Sequence, residues 1–101
     1  MEFENIGMSD AVDGSSVVGY INCDYAKLVK VFGEQSDNDG FKVDAEWCLK
    51  FADGTIATIY NWKDGKNYQG PDGLDIEYIT HWHVGGFDGL AVQRVKEAIY
   101  G

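Results

Sequence analysis

Basic residues are scarce in this chain. Eight lysines and arginines stand against seventeen aspartates and glutamates, for a formal charge of −9 at pH 7. A surface of that sign repels phosphate backbones, and no basic stripe interrupts it, so direct nucleic-acid binding is not expected. Cysteine is nearly absent. Cys23 and Cys48 have no CxxC spacing, and no secretory signal precedes them. They read as two buried free thiols in a reducing cell, with a single disulfide as the alternative. No apolar run approaches the ~20 residues a membrane-spanning helix needs, so no membrane partner is expected. The opening MEFENIGMSD lacks the basic and apolar regions of a signal peptide, and the expected location is the cytoplasm. Catalytic signatures are missing as well. There is no GxSxG, no GxGxxG, no GxxxxGK[ST] and no nucleophile with a base that the sequence supports. Pairing Cys23 with His81, or Cys48 with His83, is arithmetic only. No catalytic residue and no cofactor is assigned, and the chain reads as a non-enzyme.

What is present describes one folded unit. A chain of 101 residues is the size of a single domain, and 45% apolar with 14% aromatic residues is too hydrophobic for disorder. Residues 1–16 carry four acids and no base and end in DGSS. They read as a flexible acidic segment, or at most an edge strand, ahead of a single α+β domain over 17–101. VVGYINC, 17–23, is β-branched and aromatic and reads as a strand. In DYAKLVKVFG, Asp24 can cap a helix. Tyr25, Leu28, Val29 and Phe32 then share one face, and Gly33 suits the C-terminal turn. VDAEWCLKFADGTIATIYNW reads as a hairpin about Asp53-Gly54. A two-residue turn there pairs Phe51 with Ile56, Leu49 with Thr58 and Trp47 with Tyr60. These residues and Trp62 then form the face that meets the helices, with Glu46, Cys48, Lys50, Ala57, Ile59 and Asn61 on the other. Residues 63–75 read as a long glycine-rich loop and 76–84 as a strand, with Ile79, His81 and His83 on one side. In FDGLAVQRVKEAIYG, Asp88 can cap and Phe87 can staple onto Val92. Ala91, Val92, Val95, Ala98 and Ile99 make the buried stripe. The order β-α-β-β-β-α predicts two layers: a mainly antiparallel four-stranded sheet with two helices on one face.

Three stretches invite a chemical reading. His81 and His83 flank Trp82 and project alike from a strand, so both imidazoles can approach one metal, with Cys48 on a neighbouring strand. Spacing alone does not supply the remaining ligands, and a pair of half-exposed histidines is the plainer account. Residues 35–46 echo a calcium loop through Asp37, Asp39, Gly40 and Glu46, but Gln35 replaces the first ligand and a strand follows. The third stretch is IYNWKDGKNYQG, 59–70, which gathers lysines, asparagines and aromatics within an acidic chain. Asn61, Trp62, Lys63, Lys66, Asn67 and Tyr68, with Trp82 and His83 nearby, are the candidate binding residues. Tyrosine and tryptophan give rigid contact area at low entropic cost. The alternative is that asparagine and glycine set turns while the lysines solubilise.

The run GYI…YAKLVKVFGE…KVDAEWCLKFADGTIATIYNWKDGKNY…WHVGG resembles a family of small uncharacterised acidic proteins of tailed bacteriophages. The resemblance spans roughly residues 19–86 and rests on Gly19-Tyr20, the FGE at 32–34, Glu46-Trp47, Asp53-Gly54-Thr55, Tyr60-Asn61-Trp62-Lys63 and Trp82-His83-Val84-Gly85-Gly86. It implies an accessory protein made in a host cytoplasm and carries over no catalytic residue. The expected function is binding a host protein, itself nucleic-acid-binding in one version, with the chain's acids imitating a phosphate surface. One rival is a nucleotide sponge in which Trp62 and Trp82 stack a base and Lys63 and Lys66 meet phosphate. The other is a metal-binding enzyme built on His81 and His83.

Overall fold

The computed structural model describes residues 1–7, 12–36 and 43–101. Its elements are β1 (Phe3–Asn5), β2 (Ser16–Asn22), α1 (Tyr25–Phe32), β3 (Glu46–Phe51), β4 (Ile56–Tyr60), α2 (Lys66–Gln69), β5 (His81–Gly86) and α3 (Leu90–Tyr100). Short 3-10 turns lie at Gly70–Asp72 and Ile76–Tyr78. Every pairing is antiparallel, and the strand order is β1-β3-β4-β5-β2. The α+β class and antiparallel sheet are as expected. Among the described residues the sheet has five strands rather than four, and the short α2 joins the two expected helices. The added strand comes from the acidic N-terminal segment. Phe3 anchors it, its ring 5.2 Å from that of Phe32 and 5.8 Å from that of Phe51.

Amphipathic helices explain the layering. Leu28 and Phe32 of α1 and Ala91, Val95 and Ile99 of α3 bury against Ile21, Trp47, Leu49, Phe51, Ala57, Ile59, Trp82 and Val84. Asp24 occupies the N-cap of α1, but its carbonyl rather than its carboxylate receives the Lys27 and Leu28 amides. Gly33 closes α1 at φ 83°, donating its N–H to the Val29 carbonyl. Glycine also lets α3 lie close on the sheet. A Cβ at Gly19 would come 2.6 Å from Val92 Cγ2, and one at Gly86 2.5 Å from Ala91 Cβ. Asp88 sits one residue before the α3 cap, Gly89, and accepts the Leu90 N–H at 2.9 Å. Phe87, expected to pack on Val92, is exposed.

The β3–β4 hairpin corrects the expected register by one residue. Trp47 pairs with Ile59, Leu49 with Ala57 and Lys50 with Ile56. The cause is the turn. The Gly54 N–H bonds the Phe51 carbonyl, the Phe51 N–H bonds the Thr55 carbonyl, and Gly54 takes φ 90°. Asp53 stays at negative φ, so the loop is a turn followed by a left-handed glycine, with three residues instead of two. A one-residue slip turns β4 over. Trp47, Leu49 and Phe51 meet the helices as expected, but Ala57 and Ile59 join them, while Thr58 and Tyr60 face the other way.

The strand expected over 76–84 begins only at His81. Asp75 starts a 3-10 turn, with Tyr78 N–H to the Asp75 carbonyl and Ile79 N–H to the Ile76 carbonyl. Both neighbouring strands end beside the start of β5, at Asn22 and Tyr60. A longer β5 would carry unpaired backbone groups. The chain turns inward instead and buries Ile79, which was expected on the side of His81 and His83.

Candidate functional site

The sheet face away from the helices carries a row of rings. Tyr20 of β2 lies opposite His83 of β5, and His83 lies opposite Tyr60 of β4. Tyr20 stacks on His81 at 5.2 Å between centroids and meets His83 edge-on at 5.0 Å. His83 stacks on Tyr60 at 5.4 Å, and Tyr60 meets Trp62 edge-on at 6.3 Å. Such cross-strand pairs stabilise the sheet and fix the rings' orientation.

Two backbone features open a groove beside this row. The β2–β5 register shifts between Val17 and Gly19. This bulge turns Val17 onto the ring face and Val18 toward the core. Gly85 lies between Thr58 and Val17, where a Cβ would run into the Thr58 hydroxyl. The resulting groove, about 400 Å³, is bounded by Ser16, Val17, Tyr20, Tyr60, Trp62 and His83. A second recess of about 310 Å³ shares Ser16, Tyr60 and Trp62 and reaches Val12, Val43 and Glu46.

The residues singled out in the sequence divide among different tasks. Asn61 is fully buried. Its Oδ1 accepts the Asp44 and Ala45 amides at 2.7 and 3.1 Å, and its Nδ2 donates to Asp44 Oδ1 and Asp64 Oδ1 at 3.0 and 2.9 Å. Asn67 donates its backbone N–H to Asp44 Oδ2 and its amide to the Val43 carbonyl. The two asparagines therefore tie the 63–75 segment to the start of β3. That segment is compact, since the Leu74 N–H reaches the Asp64 carbonyl and Gly65 bridges to Leu74. Lys66 pairs with Asp75 at 2.6 Å on the surface. Trp82 is a core residue whose Nε1–H donates to the Cys23 carbonyl at 2.8 Å. It lies on the opposite side of the sheet from Trp62, so the two indoles do not flank a common site. Lys63, at φ 64°, holds its ammonium 5.7 Å from the Trp62 ring and 5.2 Å from the Tyr68 ring. Trp62, Lys63, Tyr68 and His83 thus lie at the surface, the first and last of them on the groove.

Sequence reasoning left Tyr20, Tyr60 and His81 out of the candidate set. Alternation in β2 already separates Tyr20 from the buried Ile21. Tyr60 was masked by the assumed hairpin register.

Burial governs the titratable groups here. Burial, and then the charge of His81, push His83 below the ordinary histidine range, against a smaller pull from Asp64. Its buried Nδ1 has no hydrogen-bond partner among the described residues. Burial, then Glu46 and Tyr20, push the Tyr60 phenol up. Burial and the Glu46 charge raise Cys48 to about 11, against the Ser36 hydroxyl, so it is a protonated thiol at neutral pH and a poor nucleophile. Burial, then Asp24, also raise Cys23. Cys23 and Cys48 are not joined in a disulfide. His81 and His83 do share a face, their rings 5.7 Å apart. Among the described residues, however, no three His, Cys, Asp or Glu side chains converge on a metal position. The calcium-loop echo falls at Asp37, Asp39 and Gly40, outside the described residues. No helix among the described residues is long and apolar enough to cross a membrane. Ring faces beside a groove can stack on planar groups and attract cations.

Comparison with family models, characterised proteins and solved structures finds no match to this chain.

Proposed function

We propose that the protein is a non-enzymatic binding protein that engages a basic host protein through the helix-free face of its sheet. The observation carrying this reading is the ring row Tyr20–His81–His83–Tyr60–Trp62, displayed away from the core on a chain of charge −9. Tyr20 is 53% exposed and Trp62 41%. Aromatic anchors of this kind hold complexes together, and opposite net charge speeds their formation. A host nucleic-acid-binding protein fits best, because its groove already attracts negative charge. In that form the chain is a phage-type accessory protein, acting in the host cytoplasm as an acidic mimic or inhibitor. The nucleotide-sponge reading loses support, because Trp82 is in the core and Lys66 is paired with Asp75. The metal-enzyme reading lacks a third ligand among the described residues.

The test compares immobilised wild type with a Tyr20→Ala/Trp62→Ala variant on bacterial lysate, at low salt and at about 0.15 M salt. Both side chains are exposed, so the variant is expected to fold. Wild type should retain a DNA- or RNA-binding protein that salt weakens, and the variant should lose it. No partner for wild type, or the same partner for both proteins, contradicts the proposal.

A further inference from the structure

We propose that the groove between Tyr20 and Trp62 receives an arginine side chain of the partner, with its guanidinium stacked on the ring faces. This rests on the reading of the helix-free face as the recognition surface and specifies what that surface reads. The groove's volume, about 400 Å³, lies within the range of sites that enclose a small ligand. Its lining includes the rings of Tyr20, Tyr60, Trp62 and His83. The rings are fixed by stacking, Tyr20 on His81 and Tyr60 on His83, so little side-chain entropy is lost when a guest arrives. The rim already holds one cation against ring faces, since the Lys63 ammonium sits over Trp62 and Tyr68.

Charge selects the sign of the guest. Among the described residues, the titratable groups about the ring row are Tyr20 from β2, Glu46 from β3, Tyr60 from β4, His81 and His83 from β5, and Lys63 and Asp64 from the segment after β4; Tyr20, Tyr60 and His83 line the groove and Glu46 lines the adjoining recess. The guest meets a chain of net charge −9. Glu46 disfavours ionisation of Tyr60, and Asp64 favours a charged His83. A phosphate would meet that field unfavourably. Among cations, guanidinium suits the groove better than ammonium, because it is planar, weakly hydrated and stacks on aromatic faces. A lysine ammonium would have to shed a tighter hydration shell against rings that return few hydrogen bonds.

His83 gives the sign of the pH dependence. His83 is pushed below the ordinary histidine range, first by burial, so the neutral imidazole prevails at pH 7. Protonating it on acidification places a positive charge beside the guest. Affinity for a cationic guest therefore falls as acidification protonates His83. An anionic guest shows the reverse trend.

The probes are an oligo-arginine peptide, an oligo-lysine peptide of equal length, an oligo-citrulline control and AMP, followed by calorimetry and amide chemical shifts on the intact protein. Oligo-arginine should bind several-fold more tightly than oligo-lysine, and citrulline should not bind. Tyr20→Ala or Trp62→Ala should weaken oligo-arginine about ten-fold. Trp62→Phe, which keeps a ring, should recover most of that loss. Equal affinity for arginine and lysine, no effect of the ring substitutions, or AMP binding that tightens on acidification overturns the proposal. Loss of the lysate partner in the ring variant together with no arginine preference overturns the guanidinium assignment alone. Indifference of both assays to the ring variant overturns the binding face as well.

Discussion

Trp82→Ala should lower stability by about 3–5 kcal/mol. The side chain is fully buried. Its ring lies 5.6 Å from that of Trp47 and 6.4 Å from that of Tyr25, joining β5 to β3 and α1. Truncation empties the volume under the start of α1 and removes the donor to the Cys23 carbonyl. A domain of this size has about 5–15 kcal/mol in total, so the variant keeps a small margin. Trp82→Phe fills most of the space and loses chiefly the indole hydrogen bond, which should cost about half as much. Urea unfolding checks both through the midpoint at unchanged slope. If Trp82→Ala cost less than about 1 kcal/mol, the aromatic centre of the core would not be where it is described.

Asn61→Ala should cost about 2–4 kcal/mol, and its effect should be local as well as global. One carboxamide satisfies the Asp44 and Ala45 amides and donates to the carboxylates of Asp44 and Asp64. Deleting it leaves two donors without their acceptor and brings two carboxylates together with nothing between them. The 63–75 segment should loosen, and with it the Trp62–Lys63–Tyr68 rim. Asn61→Asp preserves the acceptor but adds a third carboxylate to the pair. Its folded state therefore favours the protonated acid, raising the folded pKa above the unfolded value. The variant should be less stable than wild type at neutral pH and recover part of the difference as pH falls toward about 4. Unfolding across pH, with hydrogen exchange of residues 63–75, measures both effects. An Asn61→Asp variant whose deficit grows on acidification would contradict the assigned donors.

Periodicity made the layers legible from the sequence. The helix stripe of Leu28 and Phe32, the stripe of Ala91, Val95 and Ile99, and the alternation of Trp47, Leu49 and Phe51 each reported a buried face directly, because core burial repeats at a fixed spacing. Boundaries set by a single backbone choice were less legible. Asp53-Gly54 suits either a two- or a three-residue turn, and only the φ of Asp53 decides between them. That one angle reassigned Tyr60 from the core to the ring row. The site was half visible for a related reason. His81 and His83 share a face by strand geometry alone. Their contact with Tyr20 depends on β2 returning to the far edge beside β5, a long-range pairing with no local signal. Asn61 and Asn67 drew notice for polarity, but polarity cannot tell a buried clasp from a contact residue.

Acrylamide quenching of tryptophan emission tests the central claim most directly, because the three indoles report the two faces separately. Trp47 and Trp82 are fully buried beneath the helices, and Trp62 is on the ring face and exposed. The account predicts that quenching comes from Trp62 alone, disappears in Trp62→Phe, and is suppressed when oligo-arginine binds. Quenching that persists in Trp62→Phe, or peptide binding that leaves Trp62 as accessible as before, would contradict it.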